Sequence, residues 1–217
     1  MKQLRMLDLF CGRLGWSKAF LARGWECSGI DLVRPPDVPN GYAFMEGDVL
    51  ELTATAIRLY QYDFICASPP CEQFSVHGMK HFHPNPPYPE LGIKLFNHTR
   101  EICEASGVPY VMENVRAAQQ FVGEAAHHCG PFYLWGTGVP PLLNQGVKKS
   151  FCSTSSEYYK AKRFGQAAIN EMRKRYPHAY SGSGSKLRAE LTAKAATIPP
   201  ELANCVADYA ERILETA

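Results

Sequence analysis

The chain has 217 residues, of which 46% are hydrophobic and 20% are charged. This composition is ordinary for one globular domain, with room for a small appendage, and it supports a sizeable buried core. No apolar run reaches the roughly 18 residues of a membrane span, and the N-terminus lacks a signal-peptide pattern, so we expect a cytoplasmic protein.

The net charge of +2 is unevenly distributed. Residues 147–188 hold ten basic and two acidic groups, a charge of +8, so the remainder of the chain carries −6. Such a basic segment predicts a surface that faces a polyanion, although a charge run is usually only a solvated helix face. The candidate nucleic-acid contacts are Lys148, Lys149, Arg173, Lys174 and Arg175.

Strands and helices alternate through the first half of the chain, which predicts a βαβ series and a mostly parallel sheet. The predicted strands lie at 6–10, 25–31, 42–48, 62–67 and 108–112. The predicted helices lie at 16–23, 51–60 and 90–105.

The second half has weaker patterns. A proline-rich loop covers 72–89, and a Pro/Gly-rich segment, 130–146, is a candidate domain boundary. A basic helix is predicted at 157–176, and a Ser/Gly hinge at 181–185. Pro199 and Pro200 open a last helix that ends near Leu214.

Cys71 is the most informative residue of the sequence. It follows a buried strand and two prolines that stiffen the turn, in Ser68-Pro69-Pro70-Cys71. Open α/β sheets carry their chemistry at the carboxyl ends of the strands, and Glu113 closes the next predicted strand. A nucleophile and an acid therefore share one sheet edge, although a buried thiol and a helix-capping acid are the simpler alternatives.

A second candidate site lies at the first strand-to-helix turn. Gly12 and Gly15 allow a ligand to approach the backbone closely, and Asp31, at the end of the second strand, can accept hydrogen bonds from ribose hydroxyls. Asp48 closes the third predicted strand and can hold an exocyclic amine. A tight structural turn is the alternative for the glycines alone, and the three strand ends together favour a nucleoside cofactor.

Four segments together resemble the DNA cytosine-C5 methyltransferase family. The first three are Asp8-Leu9-Phe10-Cys11-Gly12, Ser68-Pro69-Pro70-Cys71 and Glu113-Asn114-Val115, and the fourth is residues 195–203, which is similar to the family's last motif. The match covers roughly residues 4–115 and 193–215. The pairing of Pro-Pro-Cys with Glu-Asn-Val is its most specific part.

The resemblance implies a Rossmann-like α/β fold of the S-adenosylmethionine-dependent methyltransferases, with helices on both faces of the sheet. It implies that Cys71 is the nucleophile and that Glu113 holds the cytosine ring. S-adenosylmethionine would then contact the residues that match the cofactor motifs, which are Phe10, Gly12, Gly15, Asp31, Asp48 and Pro69. The DNA duplex would have to release the target base into the site.

Three departures from the family pattern bear on function. Leu14-Gly15 stands where two adjacent glycines are usual, and the Gln-x-Arg-x-Arg strand is missing, so that Arg116 or the pair at 148–149 would have to replace it. The chain is also short. It divides into a catalytic core at 1–146, a basic segment at 147–188 in place of a large target-recognition domain, and a C-terminal helix at 189–217 that returns to the core.

The cysteines and histidines favour no metal site. The eight cysteines form no CxxC pair and are expected to be reduced and mostly buried. His77, His81 and His83 lie in the proline-rich loop, where phosphate contact or packing is the better interpretation than zinc. His127-His128-Cys129 is expected to precede a strand and to serve packing.

The leading hypothesis is a compact cytosine-C5 methyltransferase of DNA, a form that would suit a phage or prophage modification enzyme in a restriction-modification setting. An alternative keeps the chemistry and changes the substrate to RNA or a free cytosine nucleotide. Another is a non-catalytic or half enzyme that binds nucleic acid and needs a partner chain. Leu14 and the missing arginine strand favour the half enzyme, whereas the intact Pro-Pro-Cys and Glu-Asn-Val motifs favour catalysis.

Overall fold

The structure is a computed structural model that describes residues 2–35, 37–74, 89–141 and 197–216. Several sequence predictions lie outside these residues. They are the three loop histidines, the basic helix, the Ser/Gly hinge and the five basic residues proposed to contact nucleic acid.

Seven strands form one sheet in the order β3-β2-β1-β4-β5-β7-β6. The first five strands run parallel to one another, and β7 runs antiparallel to both β5 and β6. The strands are β1 (Arg5–Leu9), β2 (Glu26–Asp31), β3 (Ala43–Glu46), β4 (Phe64–Ala67), β5 (Tyr110–Asn114), β6 (His127–Cys129) and β7 (Phe132–Trp135).

Helices cover both faces of the sheet. They are α1 (Ser17–Leu21), α2 (Ala54–Leu59), α3 (Glu90–Ser106), α4 (Gln119–Val122) and α5 (Pro200–Glu215), with 3-10 turns at Val49–Glu51 and Arg116–Ala118. None of the helices within the described ranges is long and apolar enough to cross a membrane.

The alternation of side chains along the strands builds two cores. On β1, Met6 faces a cluster that includes the buried residues of α1 and α5, whereas Leu7 and Leu9 face a cluster that includes those of α2, α3 and α4. In α5 the buried positions recur every three to four residues, which is the apolar stripe of a helix packed on one side. The predicted Rossmann-like α/β fold, a mostly parallel sheet with helices on both faces, is therefore confirmed.

One arginine, Arg23, lies just after α1 and contacts the C-terminal helix. Arg23 donates hydrogen bonds to the Asn204 side chain, at 2.7 Å, and to Asp208, at 2.5 Å, and it lies 3.8 Å from the Glu211 carboxylate. Glu211 also accepts a hydrogen bond from the Trp25 indole at 3.2 Å. These contacts place α5 against the segment that follows α1.

The structure differs from the sequence predictions in two local details. The helix expected at 51–60 is split, because Thr53 caps a new helix by accepting a hydrogen bond from the Ala56 backbone at 3.2 Å. The segment His127-His128-Cys129 does precede a strand, β7, and it also forms the short strand β6 itself. Gly130, at φ 58°, opens the tight turn to β7, so that a hairpin occupies part of the expected boundary segment.

Candidate active site at the carboxyl edge of the sheet

The loop that carries Cys71 is held close to the sheet. The Ser68 backbone N–H continues the β1–β4 ladder by donating to the Leu9 carbonyl at 3.1 Å, and the following Pro69 is buried. The Phe74 N–H donates to the Cys71 carbonyl at 3.1 Å, which closes a turn directly after the cysteine. Cys71 itself is half-buried.

Two side chains from other elements clamp this loop. The Trp16 indole N–H donates to Ser68 Oγ at 2.9 Å, and Asn114 Nδ2 donates to the Pro69 carbonyl oxygen at 3.0 Å. Trp16 and Asn114 are both buried, so water does not compete for these bonds. The loop before Cys71 therefore has a defined position relative to α1 and β5.

Glu113 lies inside β5, one residue before Asn114, rather than after the strand. Its neighbour Met112 is paired in register with Ala67, the last residue of β4. The Asn114 bond to Pro69 then joins the two strand ends beyond this pair. The fold thus brings Cys71 and the half-buried Glu113 to one edge, as the sequence predicts.

The turn after Cys71 is attached to α3. Gln73 Oε1 accepts a hydrogen bond from the Gly92 backbone at 2.7 Å, in the first turn of that helix. A side chain at Gly92 would meet the Phe74 ring at 3.1 Å, so glycine allows this close packing. Sequence reasoning did not identify Gln73 as a contact, because a residue 19 positions away completes it.

The turn between β1 and α1 has an unusual backbone. Phe10 and Leu14 both have φ 59°, and Gly12 has φ 45°, so three of five successive residues are left-handed. Non-glycine residues in this region carry strain, and such residues cluster at ligand sites. The residue that departs from the family pattern, Leu14, thus keeps a backbone conformation that glycine favours.

Asp31 stabilises this turn from β2. Its Oδ2 accepts a hydrogen bond from the Gly12 N–H at 2.9 Å, and the backbone N–H groups of Phe10 and Cys11 donate to the Ile30 carbonyl. Among the residues that the structure describes, a side chain at Gly12 would meet only the Phe10 carbonyl, at 3.8 Å, which leaves the backbone there accessible to a ligand from the described part of the chain. Glycine and carboxylate therefore lie together, as a nucleoside cofactor requires.

Gly15 and Asp48 have structural roles in addition to the predicted one. A Cβ at Gly15 would lie 2.9 Å from Ile198 Cβ and from its backbone nitrogen, so this glycine admits the segment before α5. Asp48 lies two residues beyond β3, and its Oδ1 caps the 3-10 turn by accepting a hydrogen bond from the Leu50 N–H at 2.9 Å. Their contact with a cofactor stays a prediction.

Burial separates Cys71 from most of the other thiols. Burial raises the pKa of Cys11, Cys27 and Cys103 to about 12, so these thiols stay protonated near neutral pH. Cys129 is buried as well, and half-buried Cys205 lies in α5. Only thiolates are strong nucleophiles, which leaves these buried thiols in packing roles. No cluster of metal-binding side chains occurs within the ranges that the structure describes.

A polar network that sequence reasoning missed lies beneath the first turn. Asp8, on β1, is 1% exposed, and its Oδ2 accepts hydrogen bonds from the Ser17 hydroxyl at 2.5 Å and the Ser17 N–H at 3.3 Å. Burial raises the pKa of the Asp8 carboxyl to about 7 against the lowering effect of these bonds. Tyr42 joins the network at 3.3 Å from Ser17 Oγ.

The fold and this edge define an α/β protein with a mostly parallel, Rossmann-like sheet. The family model for C-5 cytosine-specific DNA methylases matches residues 4–124, more than half of the chain. The chain therefore belongs to that family. No curated protein matches it.

Solved structures add a comparison of folds. The Entamoeba histolytica methyltransferase EhMeth is similar over 99% of both chains, with 10% identity and a TM-score of 0.54. Schizosaccharomyces pombe (S. pombe) Dnmt2 is 19% identical over 56% of this chain, with a TM-score of 0.39. Spodoptera frugiperda DNMT2 is 21% identical over 54% of it, with a TM-score of 0.37. This chain spans 37% of the length of either Dnmt2 structure.

Proposed function

We propose that this protein transfers a methyl group from S-adenosylmethionine to C5 of a cytosine in DNA. The observation that carries the proposal is the buried hydrogen bond, 3.0 Å long, from Asn114 Nδ2 to the Pro69 carbonyl. It joins the Glu-Asn-Val strand to the Pro-Pro-Cys loop, and so supports a nucleophile and an acid that act on one ring.

In this proposal the Cys71 thiolate adds to C6 of the cytosine, because C5 alone is a poor nucleophile. Electron density moves from the C5–C6 double bond, so C5 becomes enamine-like and can accept a methyl group. Glu113, as an acid at N3, stabilises the charge that develops on the ring. Loss of the C5 proton and departure of the Cys71 sulfur then restore the double bond.

Bound S-adenosylmethionine supplies an electrophilic methyl group on a sulfonium centre. The open backbone at Gly12 and the neighbouring Asp31 carboxylate fit a nucleoside with ribose hydroxyls. Phe10, Asp48 and Pro69 are the further proposed contacts at this edge. Leu14, at φ 59°, keeps the turn in a conformation suited to glycine, which favours an intact cofactor site over the half-enzyme alternative.

The nucleic-acid half of the proposal depends on the charge of residues 147–188. So short a basic segment favours contact with the phosphate backbone over the reading of a long DNA site. Recognition of a defined sequence would then need a partner chain. RNA and free cytosine nucleotides stay as alternative substrates with the same chemistry.

The decisive experiment measures transfer of a labelled methyl group to duplex DNA, RNA and dCTP in parallel. We expect transfer to DNA by the wild type and none by Cys71→Ser, whose hydroxyl is a far weaker nucleophile. S-adenosylhomocysteine should still bind the variant, because the proposed cofactor contacts come from other strand ends.

A duplex with 5-fluorocytosine provides the control for mechanism. Fluorine at C5 leaves no proton to remove, so the wild type should form a covalent adduct through Cys71 and the serine variant should not. Full activity of Cys71→Ser would refute the nucleophile, and transfer to RNA or dCTP alone would refute DNA as the substrate.

A further inference from the structure

A buried carboxyl group lies directly beneath the proposed cofactor turn. Asp8 pairs in register with Gly29 of β2 and Cys66 of β4, in the middle of the sheet. Its Oδ1 is buried and has no hydrogen-bond partner within the described part of the chain. If Asp8 were ionised, Oδ1 would carry half of the carboxylate charge without a hydrogen-bond partner, which costs folding free energy. A neutral carboxyl group leaves only a weak acceptor unpaired.

The hydrogen atoms can be counted along the network. Ser17 has a single hydroxyl hydrogen, and its Oγ lies 2.5 Å from Asp8 Oδ2 and 3.3 Å from the Tyr42 oxygen. The Tyr42 hydroxyl donates its own hydrogen to Cys11, so its contact with Ser17 needs the Ser17 hydrogen. An ionised Asp8 would accept a hydrogen bond from that same Ser17 hydroxyl and leave none for Tyr42. A neutral Asp8 can instead donate a hydrogen bond from its carboxyl O–H to Ser17 Oγ. The Ser17 hydroxyl is then free to donate a hydrogen bond to the Tyr42 oxygen.

The groups around Asp8 also disfavour a negative charge. Asp31 repels it from the end of β2, and the neighbouring Cys11, Cys27, Cys66 and Tyr42, whose pKa values are raised, stay neutral and offer no positive charge. Among the described residues, none of the ion pairs includes Asp8. The surroundings of Asp8 therefore favour a protonated carboxyl group over a carboxylate paired with a cation.

The two ends of the network flank the cofactor turn. Ser17 is the first residue of α1, immediately after the turn. Tyr42 reaches across β2 to Cys11, inside the turn, and this path exists only because Gly29 has no side chain. A Cβ at Gly29 would overlap the Tyr42 oxygen and lie 2.9 Å from Cys11 Sγ.

We propose that Asp8 is a positioning residue for the cofactor turn, and that its proton maintains the Asp8–Ser17–Tyr42 chain that holds residues 10–16 ready for S-adenosylmethionine. This inference rests on the proposed function. It goes beyond that function in making cofactor affinity depend on the protonation of a group that does not touch the cofactor.

The test compares wild type, Asp8→Asn and the control Glu26→Gln, which removes an exposed carboxylate at the opposite end of β2. The affinity for S-adenosylhomocysteine is measured by calorimetry from about pH 6 to about pH 8.5, a range that brackets the Asp8 titration. Above the pH at which Asp8 titrates, the affinity of wild type and of Glu26→Gln for S-adenosylhomocysteine should fall by up to about tenfold per pH unit. Asp8→Asn should lose this dependence.

Hydrogen exchange of the peptide that covers residues 10–16 gives a readout without cofactor. The two proteins are compared at the same alkaline pH, so that the intrinsic exchange rates of this peptide are equal in both. Under these conditions the peptide should exchange faster in the wild type than in Asp8→Asn. Tyr42→Phe, which removes a hydroxyl and no charge, should raise exchange near pH 6 and covers the case in which Asp8→Asn does not fold.

Equal pH dependence in wild type and Asp8→Asn, or unchanged exchange in both Asp8→Asn and Tyr42→Phe, would overturn the role of Asp8. Absence of binding by the wild type at every pH would instead overturn the proposed function. The exchange comparison would then still decide whether Asp8 orders the turn.

Discussion

Asn114 shows how a single side chain can define an active-site edge. Its amide is fully buried and uses both ends, since Nδ2 donates to the Pro69 carbonyl and Oδ1 accepts from the Val115 N–H at 2.9 Å. An amide is suited to this position because it offers a donor and an acceptor without charge. The residue next to the proposed acid thus orients the loop of the proposed nucleophile.

We predict that Asn114→Ala slows methyl transfer at saturating substrate and leaves S-adenosylhomocysteine affinity nearly unchanged. The Pro69 carbonyl would lose its partner in a buried site, which costs about 1–3 kcal/mol of unfolding free energy. Single-turnover kinetics and urea unfolding measure the two effects. Asn97→Ala, which removes an amide bonded to Arg100 on α3, should spare the rate. Equal rates in wild type and Asn114→Ala would contradict a positioning role.

At the scale of elements, the contact between the first turn and the last helix depends on one glycine. Gly15 lies against Ile198, the residue two positions before α5, at distances that leave no space for a methyl group. The atoms nearest to a Cβ at Gly15 include backbone atoms of Ile198, which cannot move aside as the end of a side chain can. The sequence places a glycine here, but only packing shows that it serves the C-terminal segment.

We predict that Gly15→Ala lowers the free energy of unfolding by about 1–3 kcal/mol, the usual cost of overpacking a well-filled site. Gly47→Ala is the matched control, because its added methyl group would contact none of the described residues within 4 Å. Urea denaturation of both variants measures the difference. If Gly15→Ala proved no less stable than Gly47→Ala, the segment at Ile198 would have to be loosely packed.

For the whole molecule, Asp8 makes stability depend on pH. Its pKa is raised from 3.8 to about 7 in the folded state, mainly by burial. Between these values the folded chain keeps a proton that the unfolded chain has lost, so the stabilising contribution falls as pH rises. It is fully present below about pH 4 and is lost by the time the pH passes about 7.

We predict that the unfolding free energy of the wild type falls relative to that of Asp8→Asn from about pH 4 to about pH 7. A shift of about three pKa units bounds the change at roughly 4 kcal/mol, at 1.36 kcal/mol per unit. Urea denaturation at intervals across this range measures it. Because every other carboxylate is common to both proteins, parallel curves would show that folded Asp8 titrates at its ordinary pKa.

The basic segment carries the prediction on nucleic acid. Charge reversal of Arg173, Lys174 and Arg175 together should lower DNA affinity for all sequences alike. A plot of the logarithm of the binding constant against the logarithm of salt concentration should also become less steep, by about 0.9 in slope for each phosphate that the variant no longer neutralises. Titrations at several salt concentrations measure both, and Lys18→Glu, an exposed position on α1, is the single-charge control. Unchanged affinity in the folded triple variant would favour a solvated helix face or a protein-docking surface.

Much of the strand and helix order could be predicted, because hydrophobic periodicity and Pro/Gly punctuation are local signals. The ends of β1, β2, β4 and α3 lie within two residues of the predicted ones. The split of the 51–60 helix and the strand at 127–129 could not be predicted, since a cap at Thr53 and pairing with β7 outweighed local propensity. Short polar strands such as β6 gain their stability from the partner strand.

The sequence by itself determined the family and the proposed chemistry, because Pro-Pro-Cys, Glu-Asn-Val and the glycine turn predict a nucleophile, an acid and a cofactor site. Parallel strands then bring these residues to one edge whatever the details of packing. Only the tertiary structure decided how the edge is held together: Asn114 on Pro69, Gly15 against Ile198, and the buried Asp8 carboxyl group beneath the turn. Each of these contacts joins residues from different elements, and burial, which sets their energy, exists only in the folded chain.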